Sequence, residues 1–387
     1  MIQAETIAQS PKSASGDPYR VMIVDDSAVI RGFLSRWLDA EADIHVVALA
    51  SNGAMALREF ERAKPELVIL DIEMPEMDGL TALPKLVSLD PDVQVIMAST
   101  LTRRNADVSL KALSMGAADY IAKPESTRVA DDKENFQRGL LEKVRALGST
   151  RRSRDKAAGK VVSRPAIVPQ QREHKASLVA AKTPATVRQI SRIPQIKAIA
   201  IGASTGGPQA LFKLLAELKD KTNLPIFITQ HMPATFTTIL AEHLTKIYGK
   251  DCIEAVDGER VQDNRVYVAP GNWHLTVSGQ VGNTIIKLNQ EAPENYCRPS
   301  VDPMLRSLQS VYGTHVLTTI LTGMGHDGLE GCRKLAESGA VVIGQDEETS
   351  VVWGMPGAVA SAGLCTNILP LQRISGAIEN FVNGRPA

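Results

Sequence analysis

The run Ile199-Ala200-Ile201-Gly202-Ala203-Ser204-Thr205-Gly206-Gly207-Pro208 reads as an apolar strand that turns sharply into a helix at a serine framed by glycines. Such a turn lifts the hydroxyl clear of a sheet, and the glycines let backbone N–H groups crowd around it. That is one way a nucleophile is presented. The same Gly-rich turn also cradles phosphates or simply punctuates a chain, so Gly202-x-Ser204-x-Gly206 decides nothing alone.

Two later segments favour the nucleophile. Ile226-Phe227-Ile228-Thr229-Gln230 is a second buried-type strand, and it delivers His231 just before Met232-Pro233. Val316-Leu317-Thr318-Thr319-Ile320-Leu321 is a third, followed by Thr322-Gly323-Met324-Gly325-His326-Asp327-Gly328. The carboxyl ends of parallel strands line the crevice where open α/β sheets do chemistry. Ser204, His231 and Asp327 there would form a triad: serine attacks a carbonyl, histidine carries its proton, aspartate orients the imidazole. A lone His is more often a packing residue, and it is the coincidence of three strand ends that argues for function. The order Ser, His, Asp differs from the Ser, Asp, His of α/β-hydrolases, so the Gly202-x-Ser204-x-Gly206 match is not read as that fold. Backbone N–H groups at Thr205 and Met324 would serve an oxyanion. His326 ranks below His231 as the base, since its neighbour Asp327 points elsewhere on most backbones.

The amino-terminal half carries its own chemistry. Arg20-Val21-Met22-Ile23-Val24 ends in Asp25-Asp26-Ser27, and Leu67-Val68-Ile69-Leu70 ends in Asp71. Three carboxylates at strand ends repel one another unless a cation joins them, and all-oxygen ligation suits Mg²⁺. Helix capping would explain Asp25, Asp26 and Ser27 but not Asp71. Val95 to Thr100 ends a further strand with the hydroxyls Ser99 and Thr100, and Asp119-Tyr120-Ile121-Ala122 ends another with Lys123 before a proline. Carboxylate, metal, hydroxyl and ammonium are what an aspartyl phosphate needs.

Residues 19–148, with the loop Met74-Pro75-Glu76-Met77-Asp78-Gly79, resemble the receiver domain of two-component response regulators. The resemblance implies a flavodoxin-like α/β fold with a five-stranded parallel sheet. It also implies Asp71 as phospho-acceptor, Asp25, Asp26 and Asp71 as the Mg²⁺ site, Ser99 as the switch hydroxyl and Lys123 as the phosphate-contacting cation.

Residues 149–192 hold eleven Lys and Arg against two Asp and Glu, three prolines and no aromatics. They read as a basic flexible linker rather than a nucleic-acid surface, because base stacking has nothing to work with. Residues 1–18 read as a disordered tail without the apolar core of a signal peptide, and no run reaches the roughly 18 apolar residues of a membrane span. A soluble, cytoplasmic protein is expected. Cys252, Cys297, Cys332 and Cys365 lack C-x-x-C spacing and fit reduced structural thiols. From 193 to 387 strands and helices alternate again, as in an α/β domain with a largely parallel sheet. Ala269 to Leu275, with His274, and Arg298-Pro299-Ser300-Val301-Asp302 read as rim loops, from which His274 and Arg298 would either contact substrate or stabilise the fold.

A receiver followed by Gly202-Ala203-Ser204-Thr205-Gly206-Gly207, Gln230-His231-Met232-Pro233, Arg298-Pro299-Ser300-Val301-Asp302 and Thr322 to Gly328 resembles the chemotaxis response-regulator methylesterases, the CheB family. The resemblance implies hydrolysis of glutamate methyl esters on chemoreceptor helices, deamidation of selected receptor glutamines, and phosphorylation by the chemotaxis histidine kinase. The esterase reaction itself would use no cofactor. Two rival classes find less support. A DNA-binding output domain would need a basic helix-turn-helix, and a dinucleotide site would need G-x-G-x-x-G.

Overall fold

The computed structural model describes residues 17–123, 130–157, 159, 187–190 and 192–386. Residues 19–123 alternate strand and helix: β1 Tyr19–Val24, α1 Ala28–Asp39, β2 Ile44–Ala50, α2 Gly53–Ala63, β3 Leu67–Asp71, α3 Gly79–Leu89, β4 Gln94–Ser99, α4 Arg103–Ser114 and β5 Asp119–Ala122, and α5 Ala130–Ala157 closes the unit. The five strands are parallel in the order β2-β1-β3-β4-β5. Strands covered on both faces must be apolar throughout. In β1, Met22 and Val24 enter one buried cluster while Val21 and Ile23 enter another, the two-residue alternation of a pleated strand. The turns into α1, α2, α3 and α4 are capped by Ser27, Asn52, Asp78 and Thr102, each accepting a hydrogen bond from the backbone N–H three residues on.

The second unit contains β6 Ala198–Ala203, α6 Gly207–Leu218, β7 Ile226–Gln230, α7 Ala234–Tyr248, β8 Cys252–Glu254, β9 Val266–Val268, β10 His274–Gln280, β11 Asn283–Asn289, α8 Val301–Tyr312, β12 Val316–Ile320, α9 Leu329–Ser338, β13 Val341–Gln345, α10 Met355–Ser361, β14 Asn367–Leu369 and α11 Leu371–Val382. Seven strands form one parallel sheet, β14-β13-β12-β6-β7-β9-β8, and β10 pairs with β11 as an antiparallel hairpin. The chain runs outward from β6 through β7 on one side and from β12 on the other, so the sheet changes winding direction between β6 and β12. Ligand crevices in such sheets open at that point, beyond the carboxyl ends of the strands.

The basic segment is not a uniform tether. Helix α5 runs to Ala157, past residue 148, where composition alone placed the end of the receiver. Its arginines are tied down: Arg151 pairs with Asp90, and Arg152 pairs with Glu66 while lying over the Tyr19 ring. At the other end Arg188 donates to the carbonyls of Cys365 and Ala340, so the second unit begins before residue 193. Charge counting misread both ends, because an ion-paired helix and a solvated chain have the same composition. The expected tail, apart from residues 17 and 18, and most of the expected linker lie outside the described residues.

The two units meet through α4 and β5 of the receiver and α6 and α7 of the second unit, and one apolar cluster runs through both. Tyr120 of β5 stacks on Phe236 of α7 with ring centroids 4.4 Å apart and planes 9° from parallel. Gln209 of α6 donates to the Leu113 carbonyl at 3.0 Å and to that of Ala117. Arg103–Glu242 and His243–Asp107 pair at the rim.

Candidate active site

Ser204 and His231 each follow the last paired residues of neighbouring strands, Ala203 of β6 and Gln230 of β7. The register therefore sets them side by side, and His231 N–H donates to the Ala203 carbonyl at 3.2 Å. The turn is closely packed at Gly207, where a Cβ would lie 2.9 Å from Ala203 Cβ and press on the end of the Gln230 side chain. Gly323 plays the same part from beyond β12: a Cβ there would lie 2.9 Å from Ser204 Cβ. Backbone from the third strand end thus presses against the serine.

Asp327 completes the group. Its Oδ2 lies 2.7 Å from His231 Nε2 and accepts from Val301 N–H at 2.7 Å. Its Oδ1 accepts from Ser300 Oγ at 2.7 Å, Gly328 N–H at 2.9 Å, Asn295 Nδ2 at 3.0 Å and Asp302 N–H at 3.2 Å. Burial disfavours the ionised carboxyl, but His231 and this ring of donors outweigh it and hold Asp327 below the usual carboxylate range. Burial likewise opposes a charge on His231; the adjacent Cys297 sulfur and Asp327 outweigh it and raise the imidazole well above its ordinary value. A buried carboxylate on one imidazole nitrogen is the orienting half of an acyl-transfer site. The other nitrogen, Nδ1, lies 3.3 Å from Cys297 Sγ. Among the described residues no hydrogen bond joins it to Ser204.

The predicted rim segment Arg298 to Asp302 has a different job. Ser300 is the N-cap of α8, and the first N–H groups of that helix point at Asp327, so the helix N-terminus holds the anionic partner of His231. Arg298 has the fold-stabilising role left open for it: its guanidinium donates to Asn272 Oδ1 and to the Gln290 and Glu291 carbonyls, which bind the loops on either side of the β10–β11 hairpin together. His274, buried, accepts from Ser300 N–H and faces the Ala292 carbonyl, a structural role. His326 is exposed, and no side-chain bond joins it to Asp327 among the described residues. Cys297 departs from the expected structural thiols by lying half-buried on His231. Asn295, Ser300 and Cys297 had no signal in the sequence, because their partners lie 27 to 66 residues away along the chain.

Thr205 directly follows the serine and Met324 follows Gly323, which presses on it. Thr205 Oγ1 donates to Asp119 Oδ2 at 2.8 Å in a buried contact with the receiver, and Met324 packs against the apolar cluster that joins Val352 to the receiver core. Asp119 also pairs with Lys143 of α5.

In the receiver, Asp25, Asp26 and Asp71 each place a carboxylate oxygen within 4.8 Å of the others. Lys123 Nζ bridges Asp25 at 2.6 Å and Asp71 at 2.7 Å. Burial pushes Asp71 up to about 6, with the Asp25 charge adding to it and Lys123 pulling the other way. Oxygen donors with this excess of negative charge fit Mg²⁺. Ser99 is buried beyond Ala98, the residue that pairs with Asp71, and its hydroxyl lies 3.1 Å from that of Ser109 on α4. Thr100 is exposed and bonded by Asn105, which favours Ser99 as the switch hydroxyl.

Residues 199–378 match the CheB methylesterase family and residues 21–132 the response regulator receiver domain. A protein-glutamate methylesterase/protein-glutamine glutaminase of group 2 operon from Rhodospirillum centenum is 52% identical over 98% of this chain and 98% of its own length. A protein-glutamate methylesterase/protein-glutamine glutaminase from Azospirillum brasilense is 50% identical over 96% of this chain and 94% of its own. Among the described residues no helix is long and apolar enough to cross a membrane. A receiver joined to an α/β hydrolytic domain, matched over nearly its whole length by such relatives, places this chain in the CheB family of protein-glutamate methylesterases/protein-glutamine glutaminases, which are hydrolases.

Proposed function

We propose that this protein is a phosphorylation-gated hydrolase of a chemotaxis pathway that demethylates glutamate methyl esters on the cytoplasmic helices of chemoreceptors and deamidates selected receptor glutamines. The observation that carries the reading is the Asp327–His231 pair set beside Ser204 at the point where the sheet changes winding direction. Asp327 occupies Nε2, so Nδ1 is the nitrogen that exchanges Cys297 for the Ser204 hydroxyl when substrate arrives; apo hydrogen bonds at such sites commonly tighten only with substrate. With Cys297 displaced, the strongest influence raising the imidazole is gone, and neutral Nδ1 takes the Oγ proton as Oγ bonds to the ester carbonyl carbon. The Thr205 and Met324 N–H groups receive the developing oxyanion. The C–OCH₃ bond breaks, methoxide takes the proton from Nδ1 and leaves as methanol, and water repeats the cycle to release glutamate. With a glutamine substrate, ammonia leaves instead.

The receiver closes the site from outside. Its Asp119 holds the residue after the serine, and Tyr120, Leu113 and Ala117 seat it on α6 and α7. A histidine kinase would phosphorylate Asp71, with Mg²⁺ held by Asp25, Asp26 and Asp71 to neutralise phosphoryl charge, and Ser99 and Lys123 gripping the product. The test is methanol release from methylated receptor membranes. Ser204→Ala should fold normally and lose essentially all turnover; near wild-type turnover would refute the assignment.

A further inference from the structure

The turn preceding Cys297 is built to aim it. Glu294 and Cys297 exchange both backbone hydrogen bonds across a two-residue turn whose central residues, Asn295 at φ 53° and Tyr296 at φ 61°, are both left-handed. For a bulky residue such as Tyr296 that conformation is strained, and it persists only where the surroundings impose it. Here they do. Arg306 pairs with Glu294, and Asn295 donates to both Asp302 and Asp327. The result is a linear Cys297–His231–Asp327 array, 3.3 Å then 2.7 Å, which is the nucleophile–base–orienter order of thiol hydrolases. Among the described residues the other cysteines lack any such partner set: burial pushes Cys252 and Cys365 up to about 12 and Cys332 upward as well, which leaves them inert.

We propose that Cys297 is an oxidant-reactive modification site whose capture by a hydroperoxide switches the hydrolase off. His231 Nδ1 accepts the thiol proton, and the sulfur attacks the terminal peroxide oxygen. The O–O bond breaks, and the departing alkoxide takes that proton to leave as an alcohol. Sulfur is oxidised by two electrons to the sulfenic acid and the peroxide is reduced. The S–OH then sits on Nδ1, the nitrogen Ser204 needs, so this inference rests on the proposed Ser204–His231 chemistry. An external thiol restores the enzyme through a mixed disulfide.

The test uses the full chain at neutral pH with glutathione in the same tube, and follows iodoacetamide alkylation by peptide mass spectrometry. Cys297 should alkylate about tenfold faster than glutathione, and His231→Asn should remove that advantage. Hydrogen peroxide should lower methanol release about tenfold in step with sulfenic acid trapped at Cys297, dithiothreitol should reverse it, and Cys297→Ser should be insensitive to peroxide. A Cys297 no faster than glutathione overturns the proposal, as does full turnover with Cys297 completely modified. Absence of methanol release from untreated enzyme would instead refute the hydrolase reading, and the alkylation ratio would still decide the thiol.

Discussion

Asp119→Ala is the sharpest probe of the proposed occlusion of the hydrolase by the receiver. The carboxylate is 2% exposed and accepts the Thr205 hydroxyl proton at 2.8 Å, one residue from the serine. A buried hydrogen bond to a charged acceptor contributes about 1.5 to 3 kcal/mol, whereas the exposed Arg103–Glu242 pair at the rim contributes about 0 to 1. The lower figure applies, because Lys143 already partners Asp119 within the receiver and remains after undocking. About 1.5 kcal/mol is roughly a tenfold shift of the docked-to-undocked ratio. Unphosphorylated Asp119→Ala should therefore release methanol from methylated receptor membranes up to about tenfold faster than wild type, until the receiver is undocked most of the time. Arg103→Ala should change the rate less than about twofold. An Asp119→Ala protein with unaltered melting and a basal rate within about twofold of wild type would refute occlusion through this contact.

Two further outcomes are expected. Asp327→Asn should lower kcat on the order of 10⁴, the loss that accompanies a wrong imidazole tautomer in serine proteases; an amide also turns an NH₂ toward Val301 N–H or the Oδ1 donors, so the melting temperature should fall too, and retained turnover would move the orienting acid elsewhere. In the receiver, Asp71 binds a proton up to about pH 6 when folded against 3.8 ordinarily. Between those values the folded state holds more protons than the unfolded chain, so its stability falls as pH rises through the window. Mg²⁺ needs the ionised carboxylate, so its stabilisation should be larger above pH 6 than below it; differential scanning with and without Mg²⁺ at two pH values checks this, and an equal or larger gain at acid pH would contradict the site.

The strands that carry chemistry were legible because each is short, apolar and ends in a reactive side chain: Ala203 before Ser204, Gln230 before His231, Leu70 before Asp71. What stayed hidden depends on contacts distant in sequence. Nothing local marks Ser300 as the donor to Asp327, since Arg298 to Asp302 reads equally well as a loop and as a helix start. For Arg298 the sequence leaves substrate contact and fold stabilisation both open, because an exposed guanidinium and one engaged by the Gln290 and Glu291 carbonyls have the same sequence. The docking face was equally silent: Tyr120 and Phe236 read as core aromatics of separate domains until the domains are placed together.

That docking face shares its elements with the proposed phosphorylation site at Asp71, which gives a physical route between them. Strand β5 carries Asp119 and Tyr120 at the interface and leads directly to Lys123 at Asp71. Helix α4 carries the Leu113 carbonyl that receives Gln209, and it carries Ser109, whose hydroxyl lies 3.1 Å from that of Ser99. Ser109 donates both to the Asn105 carbonyl at 2.7 Å and to Ser99 Oγ, so the Ser99 hydroxyl is the acceptor in the pair. A phosphoryl group on Asp71 that draws the Ser99 hydroxyl toward itself pulls it off Ser109, and α4 then loses a tie to β4. Ser109→Ala removes the bond in advance. It should raise the unphosphorylated rate by about the few-fold that 0.5 to 1.5 kcal/mol supplies, and shrink the response to a small-molecule phosphodonor by the same factor, leaving the fully activated rate unchanged. An unaltered ratio of activated to basal methanol release in Ser109→Ala would show that the signal leaves through β5 alone.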